Sequence, residues 1–456
     1  MAKSTVQYVC SSCGAKAPQM LGRCPVCGEW GTYEEEIISE GAGKASFAKR
    51  GLSGVAGQPK RLQEVEATEE MRLDMQNGEF NRVLGGGLVP GSLVLLGGEP
   101  GIGKSTLALQ VLMQMGERKT FYASGEESVR QLKLRAERLA GNASNLYISS
   151  ETSLERILDQ VKELDPEVVV IDSIQTIGTE AIDATIGSIS QVRECAARIM
   201  EFAKTRNIPF IIIGHINKEG SLAGPKVLEH IVDTVLQFEG DQQYMYRILR
   251  AQKNRFGSTS ELGIYEMRQD GLREVTNPSE LLLSTAREGL SGVAIAAAVE
   301  GVRPFLIEVQ ALVSSAAYGT PQRSSTGFDG RRLNMLLAVL EKRVGFKLLQ
   351  KDVFINIAGG LRVQDTAIDL AIMAAVLSSN MDIALDASTC LCGEVGLAGE
   401  IRAVNRIEQR IAEAQKLGFK RIMIPAGQKV DTSRFKIEVV PVKRVTDAFR
   451  LLIKSN

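Results

Sequence analysis

The chain has 456 residues (49.5 kDa), 44% hydrophobic and 24% charged, the proportions of a globular protein with two or three domains. Its 54 basic residues balance 54 acidic ones, which excludes a histone-like protein or a highly charged tail but leaves room for a local basic patch. The opening MAKSTVQYVC lacks the apolar core of a signal peptide, and no window approaches the ~18 apolar residues of a membrane span. A cytoplasmic protein without membrane contact is expected.

Cys10, Cys13, Cys24 and Cys27 read C-x2-C-x10-C-x2-C. In a reducing compartment two such hooks bind metal rather than form disulfides, and four thiolates make a closed tetrahedral site suited to structural Zn2+. Gly14 and Gly28 follow the second cysteine of each hook, where a knuckle favours positive φ. Cys195 falls in a helical pattern as a small core residue, and Cys390-Leu391-Cys392 alternates like a strand. Residues 1–31 are therefore read as a C4 zinc finger. The Gly-, Ser-, Ala- and Lys-rich stretch within residues 32–62 is read as a flexible linker.

From residue 63 to 276 apolar runs alternate with amphipathic ones. Strands are predicted at 92–98, 119–124, 167–172 and 209–215, and helices at Ser105–Met115, Ser128–Ala140, Ser153–Leu164 and Ser190–Thr205. This order implies a parallel α/β sheet covered on both faces. Gly98, Glu99, Pro100, Gly101, Ile102, Gly103, Lys104, Ser105 and Thr106 fit G-x4-G-K-[ST] between a strand and a helix. Such a loop wraps backbone N–H groups around the phosphates of ATP, with Lys104 reaching the β- and γ-phosphates and Ser105 ligating Mg2+. Asp172 ends an apolar strand, the position of a carboxylate that holds Mg2+ through water. Glu126 and Glu127 follow the next strand after the phosphate loop, where one carboxylate can deprotonate the attacking water; Glu126 is favoured.

RILRAQKNRFG presents Arg247, Arg250, Lys253 and Arg255 as a compact cationic edge, able to hold a phosphodiester backbone or reach a neighbour's γ-phosphate. Two polar, Gly-rich stretches follow predicted strands, 176–190 and 217–225, the second with Lys218 and Lys226 as its available cations. His215 is a candidate γ-phosphate sensor or a structural histidine. Residues 277–456 form a further α/β unit without a phosphate loop.

The zinc motif, NRVLGGGLVPGSLVLLGGEPGIGKST, ASGEES, VVVIDSIQT, GHINKEGSLAGPKVLEHIVD and KNRFGS, in this order, resemble the bacterial RadA (Sms) DNA repair family over essentially the whole chain. The resemblance implies a RecA-like P-loop ATPase core that assembles as a homo-oligomer, a hexameric ring around DNA. It implies a DNA-dependent ATPase of homologous recombination, driving branch migration or unwinding on single-stranded and branched DNA, with a recombinase or replicative helicase as partner. Lys253, Asn254, Arg255, Phe256 and Gly257 would form its DNA-coupling or trans-finger motif, and the stretches 176–190 and 217–225 would be loops that face the central pore and hold single-stranded DNA. A nucleotide-switched DNA-binding scaffold is the alternative.

The C-terminal unit resembles the proteolytic domain of Lon through INIAGGLRVQDTAIDLAIMAAVLSS and LCGEVGLAGEIRAVNRIEQRIAEAQKLGFKRIMIPAG. The serine and lysine of a Lon dyad align with Ala367 and Arg402, neither of which can do that chemistry. A shift of register to Thr366 would use a different helix face. Proteolysis is therefore not expected. Arg402, Arg406 and Arg410 are read as a basic i, i+4, i+8 stripe for DNA binding.

Overall fold

Apolar strands with no polar alternation must be covered on both sides, and the sheet they build here is. The computed structural model describes residues 4–10, 15–26, 28–39, 71–139, 143–215, 227–240, 246–284, 289–316, 321–360 and 363–454. The chain divides into two units, Met1–Val275 and Thr276–Asn456. Among the described residues no helix is long and apolar enough to cross a membrane.

The first unit begins with a three-stranded ribbon, β1 (Ser4–Cys10), β2 (Lys16–Ala17) and β3 (Tyr33–Ser39), in which β1 pairs antiparallel with both others. This corrects the boundary of the zinc finger. Glu34, Glu35 and Glu36, expected in the linker, pair with Val9, Tyr8 and Gln7, because the backbone of β1 requires a second partner strand. Residues 40–70, with the rest of the expected linker, lie outside the described residues.

After α1 (Gly78–Leu84), strands and helices alternate: β4 (Leu93–Gly98), α2 (Lys104–Gln114), β5 (Thr120–Ser124), α3 (Val129–Arg138), β6 (Leu146–Ser150), α4 (Leu154–Leu164), β7 (Val168–Asp172), α5 (Ile189–Arg206) and β8 (Phe210–His215). Then come α6 (Val227–Ile231), β9 (Thr234–Glu239), β10 (Tyr246–Asn254), β11 (Leu262–Arg268) and β12 (Gly271–Glu274). Nine strands form one sheet in the order β12-β11-β10-β9-β4-β8-β7-β5-β6. From β9 to β6 the pairings are parallel, and β10 to β12 add an antiparallel meander. Val94 and Leu96 of β4, with Val168, Val170, Ile211 and Ile213, enter one core; Leu93 and Leu95, with Val169, Ile171, Phe210 and Ile212, enter the core on the opposite face. Helix α5 buries Val192, Cys195, Ala196, Ile199 and Ala203 on one stripe, starts at the Ser188 cap and stops where Asn207 turns left-handed. β6 and the meander were not anticipated, since polar and charged residues interrupt their apolar signal.

The second unit contains α7 (Pro278–Leu282), β13 (Val293–Glu300), β14 (Arg303–Ser315), β15 (Arg323–Thr326), α8 (Gly330–Val339), β16 (Lys351–Ile357), α9 (Asp369–Met381), β17 (Thr389–Leu391), β18 (Glu394–Val395), β19 (Ile401–Arg402), α10 (Ile407–Lys416), β20 (Arg421–Pro425), β21 (Glu438–Val442) and α11 (Val445–Lys454). Seven strands form a mixed sheet in the order β15-β16-β14-β13-β17-β20-β21, and β18 pairs with β19. Helix α9 is buried along its first ten residues, so it is apolar all round rather than amphipathic. Its one buried charge, Asp369, meets the Arg332 guanidinium and the Val395 N–H.

The expected basic stripe does not exist. Arg402 lies in β19 and pairs with Glu400, Arg406 sits left-handed at the start of α10, and Arg410 is 2% exposed. Arg410 donates to Asp365 and to the Ala297 carbonyl, both at 2.6 Å, and to the Asn405 carbonyl at 2.9 Å. Helical spacing fails because the helix begins only at Ile407. Arg410→Ala should strip Asp365 of this buried partner and destabilise the unit by about 3–5 kcal/mol. Native-state hydrogen exchange of the β13 and α9 amides reads this loss, and unchanged protection would contradict it.

Candidate functional site

Parallel strands deliver their carboxyl ends to one edge of the sheet. Gly98 at the end of β4 is level with His215 at the end of β8, and Ser124 at the end of β5 is level with Asp172 at the end of β7. Residues 98 to 106, 126 and 172 are therefore neighbours in space.

Gly103, at φ +110, turns the chain into α2 and caps it without a side chain; a Cβ there would lie 2.8 Å from Met267 Cε. The first backbone N–H groups of an 11-residue helix thus face the loop. Lys104 is 4% exposed, and its Nζ donates to the carbonyls of Gly98 (2.8 Å) and Glu99 (2.9 Å). Burial holds its ammonium below the ordinary lysine range, against the opposing pull of Asp172, Glu126 and Glu99. Three carboxylates therefore act on one ammonium. From the far side, buried Arg247 of β10 donates to the Ile102 carbonyl at 3.3 Å and braces the loop. Nothing in the motif itself signals Arg247; its alternation with Leu249 and Ala251 along a strand is the available clue.

Asp172 is 3% exposed and accepts a 2.5 Å hydrogen bond from the Tyr122 hydroxyl. Burial, followed by the Asp172 charge, raises the Tyr122 pKa well above its usual value, so Tyr122 remains a donor at neutral pH. Sequence reasoning missed Tyr122, which reads as an ordinary apolar residue of β5. The two glutamates separate clearly. Ser124 Oγ accepts the N–H of both, but Glu127 pairs with Arg135 of α3, whereas the exposed Glu126 accepts from Ser173 Oγ at 2.6 Å.

RILRAQKNRFG is not a free cationic edge. It forms most of β10, an interior strand between β9 and β11, and its cations are already engaged. Arg250 pairs with Glu239, and Lys253 Nζ donates to the Glu229 and Val232 carbonyls (2.5 and 2.6 Å) at the end of α6. Burial lowers the Lys253 pKa, and Arg255 adds to that shift. The half-exposed Arg255 pairs with Asp233, which is 3% exposed, at 3.2 Å. Asn254 donates to the carbonyls of Val83 and Leu84 and accepts the Phe256 N–H. The Phe256 carbonyl accepts from Arg72, and Gly257 packs against Gly85.

Of the two candidate DNA loops, 217–225 with Lys218 and Lys226 lies outside the described residues. The other, 176–190, is pinned by Gln191, whose Nε2 donates to the carbonyls of Thr179, Ile182 and Ala184. It exposes Glu180 and Asp183 and contains no cation, so its side chains do not suit a phosphodiester backbone.

In the ribbon, Cys10 and Cys24 are buried in a small cluster with Ala17 and Tyr33, while Cys13 and Cys27 lie outside the described residues. Each first cysteine donates its N–H five residues ahead, Cys10 to Ala15 (2.9 Å) and Cys24 to Glu29 (2.8 Å). Gly28 has the expected positive φ of 79°. Twin turns around buried sulfurs fit a tetrahedral thiolate site. Elsewhere, burial pushes the Cys195 and Cys392 thiols up to about 12, so these are packing residues.

At the Lon-like positions, Ala367 is fully buried among Ile295, Ala297, Leu306 and Cys390. The Thr366 hydroxyl donates to Glu394 at 2.7 Å, and Glu394 stands opposite Arg402 in the β18–β19 pair.

Profiles of known families match three stretches: a rubredoxin metal binding domain over residues 8–35, an AAA domain over 58–221, and the ChlI subunit of Mg-chelatase over 328–428. The chain is thus mixed α/β, with an N-terminal zinc ribbon, a RecA-like ATPase core and a C-terminal ChlI/Lon-like domain. A solved KaiC-like protein from Pyrococcus horikoshii is 20% identical, overlapping 45% of this chain and 99% of that one at a TM-score of 0.38. The DNA repair protein RadA of Bacillus subtilis is 50% identical over 99% of both chains. That of Listeria monocytogenes is 47% identical over 98% of both. With half its residues shared across nearly the full length, the chain belongs to the RadA family of DNA repair proteins.

Proposed function

We propose that this protein is a DNA-dependent ATPase of homologous recombination and repair, coupling hydrolysis to translocation, branch migration or unwinding as a ring-shaped, hexameric oligomer. The observation that carries the reading is the convergence of Lys104, Asp172 and Glu126 on one edge of the sheet, each oriented by a hydrogen bond. ATP with magnesium supplies the phosphoanhydride and the charge that neutralises it, with residues 98 to 106 as the cradle and Ser105 and Asp172 to hold the cation. Lys104, held over the loop by two carbonyls, would reach the β- and γ-phosphates of a bound nucleotide. Glu126 takes a proton from water as the water oxygen bonds to the γ-phosphorus and the bond to the bridging oxygen breaks, giving ADP and phosphate. Glu127, neutralised by Arg135, is the weaker candidate for this base.

Lys253 and Arg255 act in this reading as a coupling element, contacting DNA or a neighbour's γ-phosphate. Their ties to α6 and Asp233 give such a contact a direct mechanical link to the strand beside the phosphate loop, since Asp233 also accepts the Leu93 N–H of β4. Single-stranded and branched DNA are the proposed ligands, with a recombinase or replicative helicase as partner. Cys10, Cys13, Cys24 and Cys27 hold structural Zn2+ in the ribbon. The C-terminal unit serves assembly and DNA binding rather than proteolysis, because Ala367 offers no nucleophile and its methyl group is in the core.

Lys104→Ala should lower kcat by at least about 100-fold, the scale expected for removing a charge that stabilises a phosphoryl transition state; near-normal turnover would refute the assigned cradle. ATPase rates with and without single-stranded DNA should show strong stimulation that Lys253→Ala loses. Equal rates in the unsubstituted protein would favour a nucleotide-switched scaffold instead. Cys24→Ser should bring zinc, measured by metal analysis, well below one per chain.

A further inference from the structure

Asp172 and Ser173 are adjacent in sequence, yet their side chains serve the two different acids of the site. We propose that Ser173 is a positioning residue that aims the Glu126 carboxylate at the attacking water; this rests on Glu126 being the base. Glu126 sits on an exposed turn, where a carboxylate samples several rotamers and water competes for its oxygens. Ser173 is fully buried, and its Oγ donates to Glu126 Oε1 at 2.6 Å across 47 residues of sequence. A donor on a fixed backbone can restrict where its acceptor points, and the Ser173 backbone is fixed by Thr176. Its N–H donates to Thr176 Oγ1 (3.2 Å), and its carbonyl accepts from the Thr176 hydroxyl (2.9 Å) and the Thr176 N–H (3.2 Å).

The turn that carries Glu126 is locked against the same element. Gly125 donates its N–H to the Asp172 carbonyl at 2.8 Å, and a Cβ at Gly125 would lie 2.4 Å from Thr176 Oγ1. Only glycine allows this approach, so the backbone before Glu126 and the Ser173–Thr176 turn move as one piece. Ser173 thereby sets the distance between the base and the Asp172 carboxylate, which Tyr122 holds independently. A structural role alone would affect folding or nucleotide affinity; a positioning role acts on turnover through Glu126.

The test is a double-mutant cycle on the full-length protein, measuring ATPase kcat and KM together with equilibrium binding of a non-hydrolysable ATP analogue. Because a displacement of about 1 Å costs up to ~100-fold, Ser173→Ala should lower kcat by about 10- to 100-fold with KM and analogue affinity within about 3-fold of the unsubstituted protein. In a Glu126→Gln background Ser173→Ala should have no further effect on kcat. Ser173→Cys, of similar size but a weaker donor, should fall between the two. Unchanged kcat in Ser173→Ala, or the same fold-loss in both backgrounds, overturns the proposal while leaving Glu126 as base. Near-normal kcat in Glu126→Gln alone overturns the base reading and the proposal with it.

Discussion

The constraint on which the site depends is that parallel strands end on the same edge of their sheet. Each of β4, β5 and β7 contributes one functional element at or just beyond its carboxyl end, and the pairing register holds these ends within about two residues of one another. Because both faces of the sheet are packed with Val, Ile, Leu and Phe, the register cannot slip by one residue without moving a whole row of side chains into the wrong core. The precision of the site is therefore set by apolar packing, at ~1.5–3 kcal/mol per buried large side chain, rather than by its polar contacts.

Main-chain carbonyls, as well as carboxylates, orient several cations of this protein. Lys104 donates to Gly98 and Glu99, Lys253 to Glu229 and Val232, and Arg410 to Ala297 and Asn405. A carbonyl fixes direction without neutralising charge, and the carboxylates of Asp172, Glu126 and Glu99 act on Lys104 as those of Asp233 and Glu229 act on Lys253. Burial works against both ammonium groups, which makes an incoming phosphate a better partner for them than water. Arg410, buried and paired with Asp365, is a packing element of its unit.

In the Lon-like unit the positions of the dyad are built into the packing. Ala367 packs its methyl group into the core, and the adjacent Thr366 and Arg402 are each matched to a glutamate. The charges that remain around this turn form closed pairs: Arg410 with Asp365, Arg332 with Asp369.

The amino-acid sequence by itself determined the features that depend on short spacing: the cysteine hooks, the phosphate loop, and the apolar strands with the amphipathic helices between them. These are legible because one turn of chain or one strand period is enough to express them. Features that depend on distant partners were not legible. Glu126 and Glu127 look equivalent in sequence, yet one meets Ser173 and the other Arg135. The cations of RILRAQKNRFG look like a solvated edge, yet Arg247 is buried behind the phosphate loop and Lys253 is tied to α6. Arg402, Arg406 and Arg410 look like one stripe, yet a helix that starts only at Ile407 divides them among a strand, a cap and the core. The tertiary structure decided these cases, because burial and partner choice are set by which segments pack together, and no local pattern encodes that.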